Sequence, residues 1–380
     1  MDDVIVVGGR CAGAPTAMLL ARAGFKVRII ERSPQLGDTL SGHMVKTAGA
    51  ARLRSWGLLD AVLATGCPPI TDGRLWLDGQ PAATPSDGEP ADAAPPAVPA
   101  VPSVAPRRGA LDPILLDAAR QAGAAVDLGN SVRGLLSDGT RVMGVRTDWG
   151  DYPARLVVGA DGRNSRIAQL VSAAKYVDSA PATYAYQAYW KGTGITEAFA
   201  FLGGGCFIGM FPTNDDLTLV FFQAPRSGFD AARRDPVACY DAVLRSQPAA
   251  MEALAGAAQV ERVRGTGDLP TFFRRSVGPG WVLAGDAGHH KDPLIARGIT
   301  DAFRDAELIA CAVTSGWDGD LDQALAGYPA QRDACARPLS SANDVITTGL
   351  GSLPADTLAA AWGITGLLEN ALDNANTRDT

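Results

Sequence analysis

Basic runs, metal-ligand spacings and membrane-length apolar stretches are all missing from this 380-residue chain. No run of Lys and Arg exceeds a pair, and Asp and Glu outnumber Lys and Arg 41 to 34, giving a net charge of −7. That balance argues against a nucleic-acid footprint or a polybasic membrane patch. Six cysteines lie scattered with no C-x-x-C pair, and only three histidines exist, His43, His289 and His290. Neither a disulfide framework nor a metal site is expected from so thin a supply. No apolar stretch approaches the roughly 18 residues that span a bilayer, and no secretory n-region precedes the first apolar run. The expected location is therefore cytoplasmic, without stable membrane association, and the expected partner is a small molecule.

What the chain does have, at 47% hydrophobic residues, is ample material for a large core. Residues 6–32, VVGGRCAGAPTAMLLARAGFKVRIIER, read as strand, glycine turn, helix and second strand. A dinucleotide loop follows G-x-G-x-x-G; here Gly8 and Gly13 hold the outer places and Arg10 stands at the middle one. Glycine is needed there where backbone approaches a pyrophosphate with nothing in between. Arg10 fits only if its side chain folds outward, where its guanidinium can pair with a phosphate or a carboxylate. Glycines also serve close strand and helix packing without any ligand, so the loop alone is weak evidence. Glu31, 18 residues after Gly13 and beside Arg32, strengthens it: a carboxylate at that strand end can accept from both hydroxyls of an adenosine ribose and would repel a 2′-phosphate. NAD or FAD fits that better than NADP.

Further along, residues 80–106 turn to Ala, Pro, Asp and Ser and read as a long surface loop. Residues 107–123 return to helix, and short strands follow to residue 158. Between about 175 and 225, aromatic-rich segments separated by Gly, Asn and Asp predict an antiparallel sheet. Two apolar strands then end on a glycine-assisted turn with an aspartate: LVVGA before Asp161-Gly162, and WVLA before Gly285-Asp286. A carboxylate so placed can anchor a ribityl hydroxyl or hold backbone amides. After the second come Pro293 and then Gly298, opening a helix whose free amides and partial positive charge suit an anionic ring edge.

Taken together, loop, DG and GDAGHHKDP-x-x-A-x-G-I resemble the class A flavoprotein monooxygenases, the group of para-hydroxybenzoate hydroxylase, in a subfamily whose first loop reads G-x-R-C-A-G. The resemblance spans nearly the whole chain. It implies an α/β fold: a Rossmann-like FAD-binding domain of the glutathione-reductase type, three-layered, with an inserted antiparallel β-sheet substrate domain and C-terminal helices. The corresponding division is 1–72, 107–172 and 276–330 for FAD binding, 73–106 and 173–275 for the substrate domain, and 331–380 for terminal helices. By the same resemblance FAD would be held by Gly8, Arg10, Gly13, Glu31, Arg32, Arg108, Asp161, Gly285, Asp286, Pro293, Gly298 and Ile299. Arg107 is an alternative to Arg108.

The implied reaction is reduction of FAD by NAD(P)H, capture of dioxygen as a flavin hydroperoxide, and oxygen transfer to a small aromatic or polycyclic molecule, in keeping with natural-product biosynthesis. His289, Lys291 and Pro293 are the catalytic candidates, since a cation beside the ring could hold a phenolate or assist protonation. His43, Lys46, Tyr186, Phe207 and Phe221 are the substrate candidates. Two departures stand out: Ala168 where the DG motif usually continues to an arginine, and Thr300 where the hydroxylases carry asparagine. The first bears on NAD(P)H docking and the second on ring contacts. Three other readings share the motifs: a reductase of the geranylgeranyl-reductase type, a flavin-dependent halogenase, whose W-x-W-x-I-P segment is absent here, and a non-catalytic FAD-binding redox-responsive protein.

Overall fold

Alternation along the first strands sets the architecture. A computed structural model describes residues 1–82 and 101–376. Its central sheet runs in the order Val277–Gly278, Trp281–Leu283, Gly150–Gly159, Asp2–Val7, Val27–Glu31, Ala125–Leu128, parallel except at the first pair. Successive side chains on a strand point to opposite faces. Val4, Val6, Ile29, Val158 and Val282 therefore meet the helices Gly13–Arg22, Arg108–Gln121 and Gly298–Gly316. Ile5, Val7, Ile30, Val157 and Leu283 meet the opposite layer, where Val142 and Val145 project from a ribbon of Val132–Ser137 and Val142–Thr147. Helices, sheet and ribbon make three layers around a two-sided core. Strands buried on both faces read as continuous apolar runs, which is why VIVV and LVV carry no polar alternation.

The second sheet has Thr183–Lys191, Leu217–Pro225, Cys206–Thr213 and Ala198–Gly203 as antiparallel neighbours. Beyond Ala198–Gly203 the strand Gly73–Leu77 joins in parallel, so the sheet is mixed at that edge. One face packs on Tyr240 and Leu244 of the helix Pro236–Arg245. Part of the other is covered by the terminal helices Tyr328–Gly349 and Ala355–Asn376, through Leu339, Ile346 and Trp362 against Leu202 and Phe207. Of the segment expected to form a long loop, Gln80–Pro81 pairs with Trp76 and Leu77, and Ser103–Val104 pairs with Pro69–Ile70; residues 83–100 lie outside the described residues. Among the described residues no helix is long and apolar enough to cross a membrane.

Candidate active site

A cavity of about 890 Å³ runs from the first glycine loop to the second sheet. It is at the upper end of the roughly 300–1,000 Å³ usual for small-molecule sites. At its nucleotide end the glycines are demanded by contact. Gly8 has φ of +102°, and a Cβ there would lie 2.4 Å from the Ala160 carbonyl oxygen. A Cβ on Gly13 would lie 1.8 Å from the Gly8 carbonyl oxygen. The helix thus starts against bare backbone, leaving the loop open to the cavity. Glu31 is buried, its Oε2 accepting from the Gly9 amide at 2.8 Å and its Oε1 from the Ser33 amide at 2.9 Å. It braces the loop, and each oxygen keeps a lone pair for a further donor. Arg32 lines the cavity beside it.

Arg10 turns to the helix Arg108–Gln121, donating to Asp112 Oδ2 at 2.6 Å and to the Gly37 carbonyl at 3.1 Å. Of the two partners the sequence left open, it has a carboxylate. Asp112 is fully buried and also accepts from Arg108 Nε at 2.9 Å and from the Cys11 thiol. Burial pushes that thiol's pKa far up, so Cys11 is a neutral donor rather than a nucleophile. Two guanidiniums on one carboxylate leave a positive surplus, and Asp286 adds attraction to Arg108 across the cavity. Arg108 lines the cavity. The alternative, Arg107, points away: it ion-pairs with Asp38 and Glu261 and stacks 4.4 Å over the Tyr189 ring.

The two strand-end aspartates behave differently. Asp161 accepts from the Ser165 hydroxyl at 2.5 Å and from the amides of Arg166 and Ile167 at 2.6 and 3.2 Å, so it holds backbone at the start of Arg166–Leu170. Burial raises its pKa against those hydrogen bonds. Asp286 instead stands exposed in the cavity wall. The turn beneath it needs Gly285, with φ of +57° and a would-be Cβ 2.9 Å from the Ala12 side chain; the Gly285 amide donates to buried Asp305 at 2.9 Å. Pro293, Gly298 and Ile299 all line the cavity, and nothing lies within 4 Å of a would-be Cβ on Gly298, so the start of the 19-residue helix is bare toward the space. Ala296 holds the left-handed conformation, φ of +55°, that turns the loop into this helix.

At the sheet end His289 and Lys291 line the cavity, with their partners already in place. Lys291 does not offer a free cation: its ammonium is bonded to Asp301 at 2.5 Å, both side chains being buried. Arg297 and Arg304 approach the same carboxylate at 3.4 and 3.3 Å. Burial lowers the Lys291 pKa, and although burial would raise that of Asp301, the three cations hold it well below 3.8. His289 is buried against the Phe273 ring, with centroids 5.5 Å apart, and its pKa is driven well down by burial and then by Lys291. Lys46 is off the cavity, ion-paired with Glu369 of the last helix at 2.7 Å. Tyr186 faces the other side of the sheet with Tyr184, Phe222 and Phe229. Phe207 shares the cavity face but lies under Trp362, 4.8 Å away.

Phe221 does line the cavity, and so does His43. His43 Nε2 meets the Tyr189 hydroxyl at 2.9 Å, and burial lowers its pKa to about 4. Phe211, Gln187 and Gln223 line it too, as does Asp292, bonded to Thr183 and Gln223. Neither glutamine was singled out in the sequence, because an isolated Gln in an apolar strand carries no motif. Asp112 was missed for a similar reason: its partners Arg10 and Cys11 are about a hundred residues away.

The cradle of bare glycine backbone, the surplus of arginine and the open helix start suit a dinucleotide diphosphate with an anionic ring edge. Comparison with known proteins agrees: residues 1–341 match the family model described as FAD binding domain. The chain is 29% identical over 314 residues to digeranylgeranylglycerophospholipid reductase 2 of Methanopyrus kandleri, covering 78% of this chain and 73% of the relative. It is 27% identical over 330 residues to 6-methylpretetramide 4-monooxygenase of Streptomyces rimosus, covering 80% and 73%. The crystal structure of PqsL from Pseudomonas aeruginosa, described as a probable FAD-dependent monooxygenase, superposes with a TM-score of 0.78 at 19% identity over 95% of this chain and 99% of that one. The chain belongs to the FAD binding domain family. It is an enzyme, a flavoprotein of the class A monooxygenase kind.

Proposed function

We propose that the protein is an NAD(P)H- and dioxygen-dependent FAD monooxygenase that hydroxylates or oxidises a small aromatic or polycyclic molecule, in the cytoplasm and within natural-product biosynthesis. The observation that carries this is the continuity of the cavity: the space beside Gly8, Arg108 and Asp286 runs past Pro293 and Gly298 to Phe211 and Phe221. A ring system held at the helix start would face a ligand on the sheet. The similarity to a monooxygenase acting on a pretetramide supports the substrate size.

In this reading Gly8, Gly13, Glu31 and Arg32 hold the adenosine half, Arg10 and Arg108 neutralise the diphosphate, and Asp286 takes the ribityl chain. Bound there, FAD would supply the hydride acceptance and oxygen activation that no side chain can. Gly298 and Ile299, at the helix start, would offer backbone amides to an anionic ring edge, with Pro293 beside them in the wall. Lys291 and His289 line the cavity beside Pro293, with the Lys291 ammonium held against Asp301. Phe211 and Phe221 exclude water from the reacting face. The balance is substrate–H + O₂ + NAD(P)H + H⁺ → substrate–OH + NAD(P)⁺ + H₂O.

The test is turnover of candidate phenols under ¹⁸O₂ with NADH or NADPH. One ¹⁸O atom in the product per reduced nicotinamide consumed is expected. A product gaining two hydrogens and no label would sink the oxygenase reading and favour the reductase one, to which the likeness to the Methanopyrus kandleri reductase also points.

A further inference from the structure

We infer that His290 is the proton acceptor of the cavity wall, its Nε2 taking the proton of a ligand hydroxyl; this rests on the flavoenzyme reading above. The O–H bond breaks, an N–H bond forms at Nε2, and the ligand oxygen keeps the electron pair. His290 lines the cavity, two residues before Asp292 and three before Pro293. Its backbone pairs with Phe272 of the strand Thr271–Arg274, and its ring stacks on the Phe272 ring, centroids 5.7 Å apart and inclined at 24°. Strand register and stacking together hold the imidazole in one place.

Which nitrogen carries the hydrogen follows from its partner. Nδ1 lies 2.5 Å from the Pro270 carbonyl oxygen, and a carbonyl only accepts, so Nδ1 is the donor. The neutral ring then keeps its lone pair at Nε2, which has no hydrogen-bond partner among the described residues. One nitrogen orients the ring and the other is left to react, the arrangement a general base requires.

The other titratable groups on this wall are occupied or disfavoured. Asp292 accepts from the Thr183 hydroxyl, the Gln223 side-chain amide and the Leu294 backbone amide. Lys291 is bonded to Asp301, and His43 Nε2 meets the Tyr189 hydroxyl. His289 has Asp305 3.6 Å from its Nδ1, but burial and then Lys291 oppose its protonation. A proton placed on His290 is instead drawn toward the Asp292 carboxylate on its own loop. The cations that oppose it, Lys175 and Arg274, sit over the Phe272 ring, 4.9 and 4.3 Å from its centroid.

The experiment uses the oxidised FAD-loaded enzyme at pH 7, without NAD(P)H, so that a failure of the oxygenase reading leaves its outcome standing. Diethyl pyrocarbonate, which acylates a free imidazole nitrogen, is applied first, and the modified sites are read by peptide mass spectrometry. His290 should react several-fold faster than His43 or His289. The second arm follows the absorption of a bound nitrophenol that ionises near neutral pH. On the wild-type enzyme its phenolate-to-phenol ratio should be roughly tenfold above that of the free probe in the same buffer, the equivalent of one pKa unit. His290→Gln, checked for retained flavin, should return the ratio to within a few-fold of the free value, and acylated wild-type enzyme should match the variant. The assignment is overturned if His290 resists the reagent, if the nitrophenol fails to bind or binds as the phenol, or if both His290→Gln and acylation leave the ratio unchanged.

Discussion

At the nucleotide end of the cavity Arg10, Arg32, Arg108, Arg133, Arg163 and Arg166 contribute to the wall, and two of them share a single buried carboxylate. At the sheet end Lys291 and Arg297 belong to the wall but lie against Asp301, and Phe211, Phe221, Gln187 and Gln223 stand beside them. The nucleotide end carries surplus charge because a diphosphate must be met by charge. The sheet end sets its cations against a buried carboxylate and adds aromatic rings, so an aromatic surface and an arginine-rich one share one cavity. The glycine contacts keep the first end narrow, and the phase of the strands keeps the second end aromatic.

The contrast breaks most completely at Gly13. Gly13→Val places carbon within the Gly8 carbonyl and should displace the helix from the strand. Purified protein should retain under about a tenth of its flavin and lose several kcal/mol of stability, in keeping with severe backbone overlap; flavin content and thermal unfolding check this. A smaller effect isolates the neutral end. His43 is buried with its pKa lowered from 6.5 to about 4, so the folded state binds fewer protons than the unfolded state between those values. The contribution is fully present above pH 6.5 and is lost as pH falls to 4, up to about 3 kcal/mol at about 1.4 kcal/mol per unit. His43→Asn, which tolerates the positive φ of 40° there, should flatten unfolding free energy against pH in that window. An unchanged slope would mean His43 is not the group responsible. The smallest effect belongs to the far face: Tyr186→Phe keeps the ring among Tyr184 and Phe222, and should leave flavin content and phenol turnover unchanged, with stability shifted by under about 1 kcal/mol. A change in turnover there would mean the two faces communicate.

Local signals in the sequence carried most of the cofactor end. Gly8, Gly13, Glu31, Gly285, Asp286, Pro293 and Gly298 lie in short strand–turn–helix motifs whose backbone needs are readable one residue at a time, and the family comparison bears out the fold and the flavoprotein class drawn from them. The sheet end was harder because TYAYQAYW is buried on both faces. With aromatics on either side, composition does not reveal which parity faces the cavity, and Tyr186 was read where its neighbours Ala185 and Gln187 stand. The ion pair of Lys291 was hidden for another reason. Its partner Asp301 is ten residues on, one turn into a helix, and only the left-handed turn at Ala296 brings the two together. Asp112 depends on a contact across a hundred residues, which no window of sequence contains.

The loop bearing Pro293 is also held from the far end of the chain. Asn343 donates to the Asp292 carbonyl at 2.8 Å, and Glu369 ties Lys46 to the last helix while standing 4.0 Å from Arg297. During synthesis, which runs from the N-terminus, the nucleotide cradle has all its segments once the helix at Gly298–Gly316 has emerged. The supports for the reacting loop come some thirty to fifty residues later. A nascent chain therefore acquires the means to hold its cofactor before it acquires the clamp that would position it for reaction, and the final helix acts as the last fastening on a site whose parts are already assembled.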